Sequence, residues 1–260
     1  MSKQNYIHLG DARLWLPNLK PESVDMVLTD PPYGMDFNSN MIGRGKSRAE
    51  IEALSKPKVK NDGEDEAHRL RKEIFPMMLR VLRDGGVAAV FSSWREIDHT
   101  ISELETAGFT YEQLLIWDKA AFGMGWCYRY SYELIVLASR GGRDDWRGGK
   151  DKSDILRYNM RKLEPFQEGH PTPKPMDLMI RLVLDNSKPG EVVLDPMCGT
   201  GPAMAAAVRC GRVAWGCEEM KRWHKAAEEW VVAEEKQGKL FEDADIVPVE
   251  PPLELFPEKK

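Results

Sequence analysis

The sequence contains no long apolar run. No segment approaches the roughly 20 apolar residues that a membrane-spanning helix needs. No apolar region of the secretory-signal type follows Met1 either, because Tyr6-Ile7-His8-Leu9 is too short for one. These absences argue against a membrane span and a signal peptide, and they predict a protein of the cytoplasm.

Cysteine is also scarce. The four cysteines lack CxxC spacing, and each has apolar or glycine-rich neighbours: Cys127, Cys198, Cys210 and Cys217. This pattern is typical of reduced packing residues and excludes a disulfide framework or a cysteine-based metal site. We therefore expect no metal.

Charge of one sign does not dominate, but it is unevenly distributed. A net charge of -5 argues mildly against a nucleic-acid partner, and the part of the chain from Glu218 onward is rich in acids. Residues 44–60 and 140–162 are instead basic. A charge run is usually a solvated face, but both stretches flank the motifs described below, which favours contacts with phosphate.

Segments with strand character alternate along the chain with segments of helical spacing. The predicted strands are residues 6–9, 26–29, 87–91, 111–117, 133–138, 192–194 and 213–217. The predicted helices are residues 12–19, 66–83, 97–107, 175–186, 202–210 and 223–233. The alternation predicts an α/β fold, a doubly wound and mostly parallel sheet with helices on both faces.

The domain organisation follows from the polar stretches between these segments. We expect a single domain over residues 1–238, with a mobile loop at about 34–65 and a small insert at about 140–169. Residues 239–260 are predicted to be an acidic, poorly ordered tail.

The tetrapeptide Asp30-Pro31-Pro32-Tyr33 directly follows a predicted strand. Proline has no N–H to donate and restricts the residue before it, so the two prolines produce a stiff, extended exit from the sheet. Asp30 and Tyr33 are thereby held at the carboxyl end of a strand, where open α/β sheets bind ligands. A carboxylate, proline carbonyls and an aromatic face suit a planar ring that bears an amino group.

A second constellation, Asp195-Pro196-Met197-Cys198-Gly199-Thr200-Gly201, links a strand to a helix through a glycine turn, and the next strand ends at Glu218. The acid at the end of that strand is suited to the hydroxyls of a ribose. The turn lacks the G-x-G-x-x-G fingerprint and has no basic residue, and its Asp195 would repel a pyrophosphate. A carboxylate there would attract an ammonium or sulfonium group, which favours S-adenosylmethionine over NAD.

These motifs resemble those of amino-group DNA methyltransferases with the permuted "beta" motif order. Residues 30–33 match the family's catalytic DPPY motif, and residues 195–201 match its DPFxGSG cofactor motif, with Met197 in place of the phenylalanine. His170-Pro171-Thr172-Pro173-Lys174-Pro175 matches its HPTxKP segment. The order is catalytic motif, variable region, cofactor motif, and the resemblance covers nearly all of residues 5–235.

The resemblance implies a Rossmann-like fold and methylation of the N6 amine of an adenine flipped out of double-stranded DNA. It implies a cytoplasmic protein of a prokaryote or phage, as in restriction–modification systems, and leaves a homodimer open. The implied catalytic residues are Asp30, Pro31, Pro32 and Tyr33. The implied cofactor-binding residues are Asp11, Thr172, Lys174, Asp195, Pro196, Met197, Gly199, Gly201 and Glu218. The basic residues predicted to bind DNA are Arg44, Lys46, Arg129, Arg143, Arg147 and Lys150.

Other functions remain open at this point. Asp30, where a serine would favour cytosine, disfavours N4-cytosine methylation, and the absence of a Pro-Cys dipeptide argues against a cysteine nucleophile for cytosine-C5 methylation. An NAD(P)-dependent oxidoreductase conflicts with Asp195 and the missing fingerprint. A non-catalytic DNA-binding module conflicts with the intact Asp30 and Tyr33. The basic variable segment disfavours a protein substrate but does not separate DNA from RNA.

Overall fold

The alternating pattern of the sequence folds into one sheet with helices packed on both sides. The computed structural model describes residues 4–33, 64–123, 127–143, 152–159, 164–170 and 172–238. The predictions for the tail at 239–260, most of the loop at 34–65 and much of the insert at 140–169 lie outside these residues.

Within the described ranges there are eight strands and six α-helices. The strands β1 to β8 span Tyr6–Leu9, Val24–Thr29, Leu82–Ser92, Thr110–Asp118, Tyr132–Ser139, Ile155–Arg157, Val192–Asp195 and Val213–Glu218. The helices α1 to α6 span Ala12–Trp15, Glu64–Val81, Ile97–Thr106, Met176–Asn186, Pro202–Arg209 and Lys221–Gln237.

Most element types were predicted, but several boundaries differ. The first helix stops at Trp15, and a 3-10 turn containing Pro17 follows it. α2 begins at Glu64, two residues before its predicted start, which also shortens the predicted loop. β6 was not predicted, because three residues in a polar context give no readable period. It places part of the predicted insert in the sheet, as an edge strand.

The sheet order is β1-β8-β7-β2-β3-β5-β4-β6. Every neighbouring pair is parallel except those made by β5, which runs antiparallel to both β3 and β4. The predicted fold class, a doubly wound and mostly parallel sheet, is confirmed.

The two faces of the sheet bury separate apolar cores because strand side chains alternate between them. In β3, Val87, Ala89 and Phe91 contribute to the core beneath α4, α5 and α6, whereas Ala88 and Val90 contribute to the core beneath α1, α2 and α3. None of the described helices is long and apolar enough to cross a membrane.

The direction of β5 determines which residues meet at each edge of the sheet. β1, β2, β3, β7 and β8 all end at one edge, which we call the carboxyl edge, and begin at the other, the amino edge. Because β5 is antiparallel and pairs Leu134 with Ser92, its first residues lie at the carboxyl edge. The segment after Ser139 consequently lies at the amino edge.

Candidate active site

Residues 30–33 leave the sheet at the carboxyl end of β2. We call them the catalytic turn, after the role predicted for them from the sequence. The Tyr33 hydroxyl donates a hydrogen bond to one oxygen of the Asp30 carboxylate and lies 3.5 Å from Oε2 of Glu133. About a quarter of the Asp30 side chain stays exposed, so the carboxylate is both held in place and reachable. The predicted turn and its orientation at the sheet edge are as expected from the sequence.

Lys174 lies in the catalytic turn's surroundings, although it had been predicted among the cofactor-binding residues. Its ammonium group donates to the Asp30 carboxylate and lies 3.4 Å from Oε2 of Glu133, and its side chain is almost fully buried. Gln167 fixes its backbone, because Gln167 Nε2 donates to the Lys174 carbonyl at 2.7 Å. These contacts place Lys174 beside the Asp30 carboxylate, and its role in cofactor binding stays a prediction.

Glu133 is a site residue that the sequence analysis missed. It is the second residue of β5 and lies at the carboxyl edge, where its Oε1 accepts a hydrogen bond from Lys119 Nζ at 2.5 Å and its Oε2 faces Lys174 and Tyr33. The available signal was a lone acid at the start of an otherwise apolar strand, Glu133-Leu-Ile-Val-Leu-Ala. Such an acid is usually read as the exposed end of a strand.

The buried charges of this cluster shift one another's pKa values. Burial raises the pKa of Asp30 against the attraction of Lys174, and repulsion from Glu133 adds to the rise. Burial alone would lower the pKa of Lys174, but the carboxylates of Asp30 and Glu133 outweigh it and raise the pKa. Burial would raise the pKa of Glu133, yet Lys174 and Lys119 hold it below its usual value. Burial, followed by the charges of Asp30 and Glu133, raises the pKa of Tyr33, which stays a neutral donor.

Residues 195–201 begin at the last residue of β7 and lead into α5. We call them the cofactor turn, after the role predicted for them from the sequence. β7 lies beside β2 in the sheet, and the two turns are joined because Thr29 Oγ1 donates to Asp195 Oδ1 at 2.7 Å. Met197 N donates to the same oxygen at 3.0 Å. Gly201 is the N-cap residue of α5 and has a φ of 84°, and a Cβ there would lie 2.8 Å from Ala227 Cβ. This close helix packing is the reason for the second glycine.

Glu218 lies next to this turn because β8 neighbours β7, and Asp11 follows β1 on the other side of β8. Glu218 accepts from Gly199 N at 3.0 Å and from Met220 N at 2.7 Å, so its carboxylate braces the turn. Asp11 caps α1, accepting from Arg13 N at 2.8 Å, and is also ion-paired with the Arg13 guanidinium. The structure therefore brings the predicted acids of three strands to one edge.

Part of the HPTxKP segment, His170 and Thr172, lies beside the cofactor turn. The His170 ring packs against the Trp223 ring, with centroids 5.0 Å apart. A Cβ on Gly199 would lie 3.2 Å from His170 Nε2. Thr172 N lies 3.4 Å from His170 Nδ1, so Thr172 adjoins the cofactor turn through the histidine ring.

The electrostatics of this edge suit a cation. Burial raises the pKa of Asp195 to about 7, against the hydrogen bonds from Thr29 and Met197, and repulsion from Asp30 and Glu218 adds to the rise. Burial likewise raises the pKa of Glu218, against its backbone hydrogen bonds. Acids concentrated at one strand edge repel phosphate and attract an ammonium or sulfonium group.

The two described residues that were predicted to bind DNA, Arg129 and Arg143, lie at opposite edges of the sheet. Arg129 precedes β5 at the carboxyl edge, where its Nε donates to the Gly123 carbonyl at 2.7 Å. Arg143 follows β5 at the amino edge and donates to the Asp185 carbonyl and to Asn186 Oδ1, at the end of α4. The structure therefore does not bring Arg143 to the site. Arg44, Lys46, Arg147 and Lys150 lie outside the described residues.

Exposed aromatic side chains accompany Arg129 at the carboxyl edge. Trp94, which follows β3, stacks on Tyr130 with ring centroids 4.9 Å apart and an interplanar angle of 14°. The Arg95 guanidinium lies 5.0 Å from the Trp94 ring, and Tyr132 meets Tyr130 edge-on at 6.5 Å. We call these four residues, Trp94, Arg95, Tyr130 and Tyr132, the aromatic rim.

Solved structures share the Rossmann-like fold of this chain. The M1.HpyAVI complex with S-adenosylmethionine has a TM-score of 0.65 and 21% identity, covering 88% of this chain and 99% of that one. The cytosine-N4-specific PvuII methyltransferase has a TM-score of 0.68 and 14% identity, covering 90% and 89%. At these identities the likeness establishes the fold.

The family model described as DNA methylase, of N6/N4 type, matches residues 24–229. The chain belongs to this family of DNA amino-methyltransferases, which confirms the resemblance drawn from the motifs. The Type II methyltransferase M2.DpnII of Streptococcus pneumoniae is 27% identical over 248 residues, which make up 90% of this chain and 91% of the relative. The enzyme class is thus a DNA methyltransferase.

Proposed function

We propose that this protein transfers a methyl group from S-adenosylmethionine to the N6 amine of an adenine flipped out of DNA. The observation that carries the proposal is the junction of the two turns. Residues 30–33 and 195–201 follow neighbouring strands and share the hydrogen bond from Thr29 to Asp195. A substrate amine at Asp30 would therefore lie next to a ligand on the cofactor turn.

The side chains around the cofactor turn fit S-adenosylmethionine. Asp195 and Glu218 offer carboxylates to a cationic ligand, and Gly199 leaves the backbone accessible between them. Pro196 and Met197 complete the turn, and Thr172 adjoins it beside His170. When bound, S-adenosylmethionine supplies an electrophilic methyl group. The solved M1.HpyAVI complex contains this compound, which supports the assignment.

The catalytic turn provides acceptors for an exocyclic amine, whose lone pair is otherwise delocalised into the ring. In our proposal the Asp30 carboxylate and the Pro31 carbonyl accept hydrogen bonds from the two N–H groups of the amine. This frees the lone pair of its nitrogen for in-line attack on the methyl group that S-adenosylmethionine would supply. Each Asp30 oxygen has one partner, Tyr33 or Lys174, and a carboxylate oxygen can accept a second bond. Lys174 keeps the carboxylate oriented before substrate arrives, so little reorganisation is needed.

The methylated base is the element of this proposal that most needs a test. Asp30, rather than serine, favours adenine, while N4-cytosine methylation is the alternative. Purified protein, S-adenosylmethionine and unmethylated DNA should yield N6-methyladenine when the digested product is measured by mass spectrometry. N4-methylcytosine as the sole product would overturn the adenine assignment and leave the family assignment unaffected.

The titration of Asp195 gives a prediction for cofactor affinity. With a pKa of about 7, its carboxyl group is largely neutral below that pH and ionised above it. The dissociation constant for S-adenosylmethionine should therefore fall as pH rises from 6 to 8, by at most about tenfold per pH unit. Calorimetry across this range is the measurement, and Asp195→Asn should flatten the dependence. A slope of equal steepness in that variant would assign the titration to Glu218 instead.

The same shift has a consequence for the stability of the free protein. Between the ordinary value of 3.8 and about 7, the folded state binds more protons at Asp195 than the unfolded state does. This contribution to stability is fully present at low pH and is lost as pH rises through that window. Bound cofactor opposes the loss, because a cation favours the ionised form.

We further propose that DNA lies across the carboxyl edge, over Arg129 and the aromatic rim. Each phosphate contact contributes about 0.9 to the slope of log affinity against log salt concentration. Arg129→Ala should therefore weaken DNA binding and reduce that slope by about 0.9, measured by fluorescence anisotropy at several salt concentrations. Arg143→Ala is the matched control at the amino edge and should leave the slope unchanged. The opposite pattern would move the DNA surface to the insert.

A further inference from the structure

A buried arginine lies directly behind the catalytic turn. Arg71 belongs to α2, and only 1% of its side chain is exposed. Its Nη1 donates a hydrogen bond to the carbonyl oxygen of Pro32 at 3.1 Å. A guanidinium group is thus bound to the backbone of the turn that carries Asp30 and Tyr33.

The other donors of Arg71 are held by two acids of the neighbouring helix region. Nε donates to Glu103 Oε2 at 2.6 Å, and Nη2 donates to Glu96 Oε2 at 2.9 Å. His68 packs against the same acids, with its Nδ1 2.8 Å from Glu103 Oε1 and its Nε2 3.4 Å from Glu96 Oε2. Nη2 also lies 2.9 Å from His68 Nδ1. Nε and Nη2 are therefore held on the side away from the turn, and Nη1 points at the turn.

Packing between α2 and α3 does not require this cluster of buried charges. Burying ions has a desolvation cost that their mutual attraction often only offsets, and apolar side chains of similar volume are frequently as stabilising. Helix packing alone therefore does not account for a buried arginine with two carboxylates. If the arginine and both acids were exchanged for apolar side chains, the hydrogen bond to the Pro32 carbonyl would be lost without a substitute.

The Pro32 carbonyl matters because of the two prolines. Neither Pro31 nor Pro32 has an N–H, so the turn cannot fix its own backbone by donating hydrogen bonds at these positions. The Pro32 carbonyl belongs to the peptide unit that joins Pro32 to Tyr33. A hydrogen bond to this oxygen fixes the orientation of the peptide unit. It therefore sets the position of the Tyr33 side chain and the direction of the adjacent Pro31 carbonyl.

We infer that Arg71 is a positioning residue for methyl transfer. Arg71 fixes the Pro32–Tyr33 peptide, so that Tyr33 and the Pro31 carbonyl meet the substrate amine in a productive geometry. This inference rests on the proposed function. In this inference Arg71 acts through the backbone of the turn, by its hydrogen bond to the Pro32 carbonyl. Through Glu96 it also connects the turn to the segment that carries Trp94 and Arg95.

Arg71→Lys is the variant that tests this inference. A lysine ammonium keeps the positive charge between Glu96 and Glu103 but cannot also reach the Pro32 carbonyl, since it lacks the guanidinium fork. The single-turnover rate of methyl incorporation into DNA should fall by about 10- to 100-fold, the scale expected when reacting groups are misplaced by about 1 Å. The affinity for S-adenosylmethionine, measured by calorimetry, should stay within about twofold, because the cofactor turn keeps its contacts.

Arg212→Lys is the matched control. Arg212 is also buried and also donates to backbone carbonyls, those of Ser187 and Cys210 at 2.6 Å each, but it precedes β8 at the amino edge. A comparable change in thermal unfolding is expected, with the rate unchanged. A rate in Arg71→Lys within about twofold of wild type, or equal losses in both variants, would overturn the inference.

A second variant keeps the test decisive if Arg71→Lys does not fold. Glu103→Gln removes one of the two charges that orient the guanidinium while retaining an acceptor for Nε, and it should slow single turnover several-fold at unchanged cofactor affinity. An unchanged rate there would count against the inference. The assay counts all methyl groups transferred to DNA, so the comparison does not depend on which base is methylated. An unchanged rate would overturn the role of Arg71, whereas N4-methylcytosine as the sole product would overturn the adenine assignment.

Discussion

Replacing Asp30 with alanine should lower the rate of methyl transfer by at least about 10²-fold, the scale for losing one pre-organised electrostatic partner of a transition state. In the proposed mechanism the hydrogen bond between this carboxylate and the substrate amine strengthens as the nitrogen becomes tetrahedral, so its loss should reduce kcat rather than substrate affinity. Single-turnover assays with radiolabelled S-adenosylmethionine would measure the rate. Asp30→Asn should also be slow, because a neutral amide is a weaker acceptor.

Cofactor binding should survive this substitution. Asp30 is bonded to Tyr33 and Lys174, while the cofactor turn is held by Thr29, Met197 and Glu218. Lys174 keeps a carboxylate partner, since Glu133 Oε2 remains 3.4 Å away. Calorimetry should therefore give a dissociation constant close to that of wild type.

The strand that carries Asp30 offers its own control. Asp25 lies near the amino end of β2, where it accepts from Val192 N at 2.8 Å and from Arg83 Nε at 3.1 Å. Asp25→Ala removes a partly buried carboxylate from the same strand without touching the site, so it should lower stability and leave the rate per folded molecule unchanged. Full activity in Asp30→Ala, or equal rate losses in both variants, would refute the catalytic assignment.

The parts of this site that could be predicted from sequence are those set by local chemistry. A double proline after an apolar strand and a glycine turn before a helix are each readable within about ten residues. The rule that parallel strands present their carboxyl ends at one edge then placed Asp11, Asp195 and Glu218 together. The sheet order β1-β8-β7 realises that expectation.

The parts that could not be predicted depend on long-range pairing. Lys174 meets Asp30 across 144 residues of chain, and a motif match alone assigned it to the cofactor. Glu133 and Arg143 both depend on the direction of β5, which no local pattern reveals. An antiparallel β5 brings Glu133 to the carboxyl edge and carries Arg143 to the amino edge. Charge clustering in the sequence therefore predicts a DNA-contacting role for Arg143, which lies at the amino edge, opposite the candidate site.

Replacing Gly199 with tryptophan should abolish measurable S-adenosylmethionine binding. The residue has a φ of 54°, a conformation that costs a residue with a side chain about 1–2 kcal/mol. A Cβ would also lie only 3.2 Å from His170 Nε2, and we expect an indole at this position to cover the turn that we assign to the cofactor. Calorimetry on the folded variant would measure the loss.

Backbone strain must be separated from blockage of the site, and Gly190 allows this. It also has a positive φ, of 79°, but a Cβ there meets nothing within 4 Å, and it lies before β7 at the amino edge. Gly190→Ala should lower the unfolding temperature through strain while leaving cofactor affinity intact. Gly199→Ala should carry similar strain and weaken binding less than tryptophan does. If Gly199→Trp folds and binds S-adenosylmethionine as tightly as wild type, the cofactor does not lie on this turn, whereas a graded loss from glycine to alanine to tryptophan at position 199 alone is what close approach of the backbone to the ligand requires.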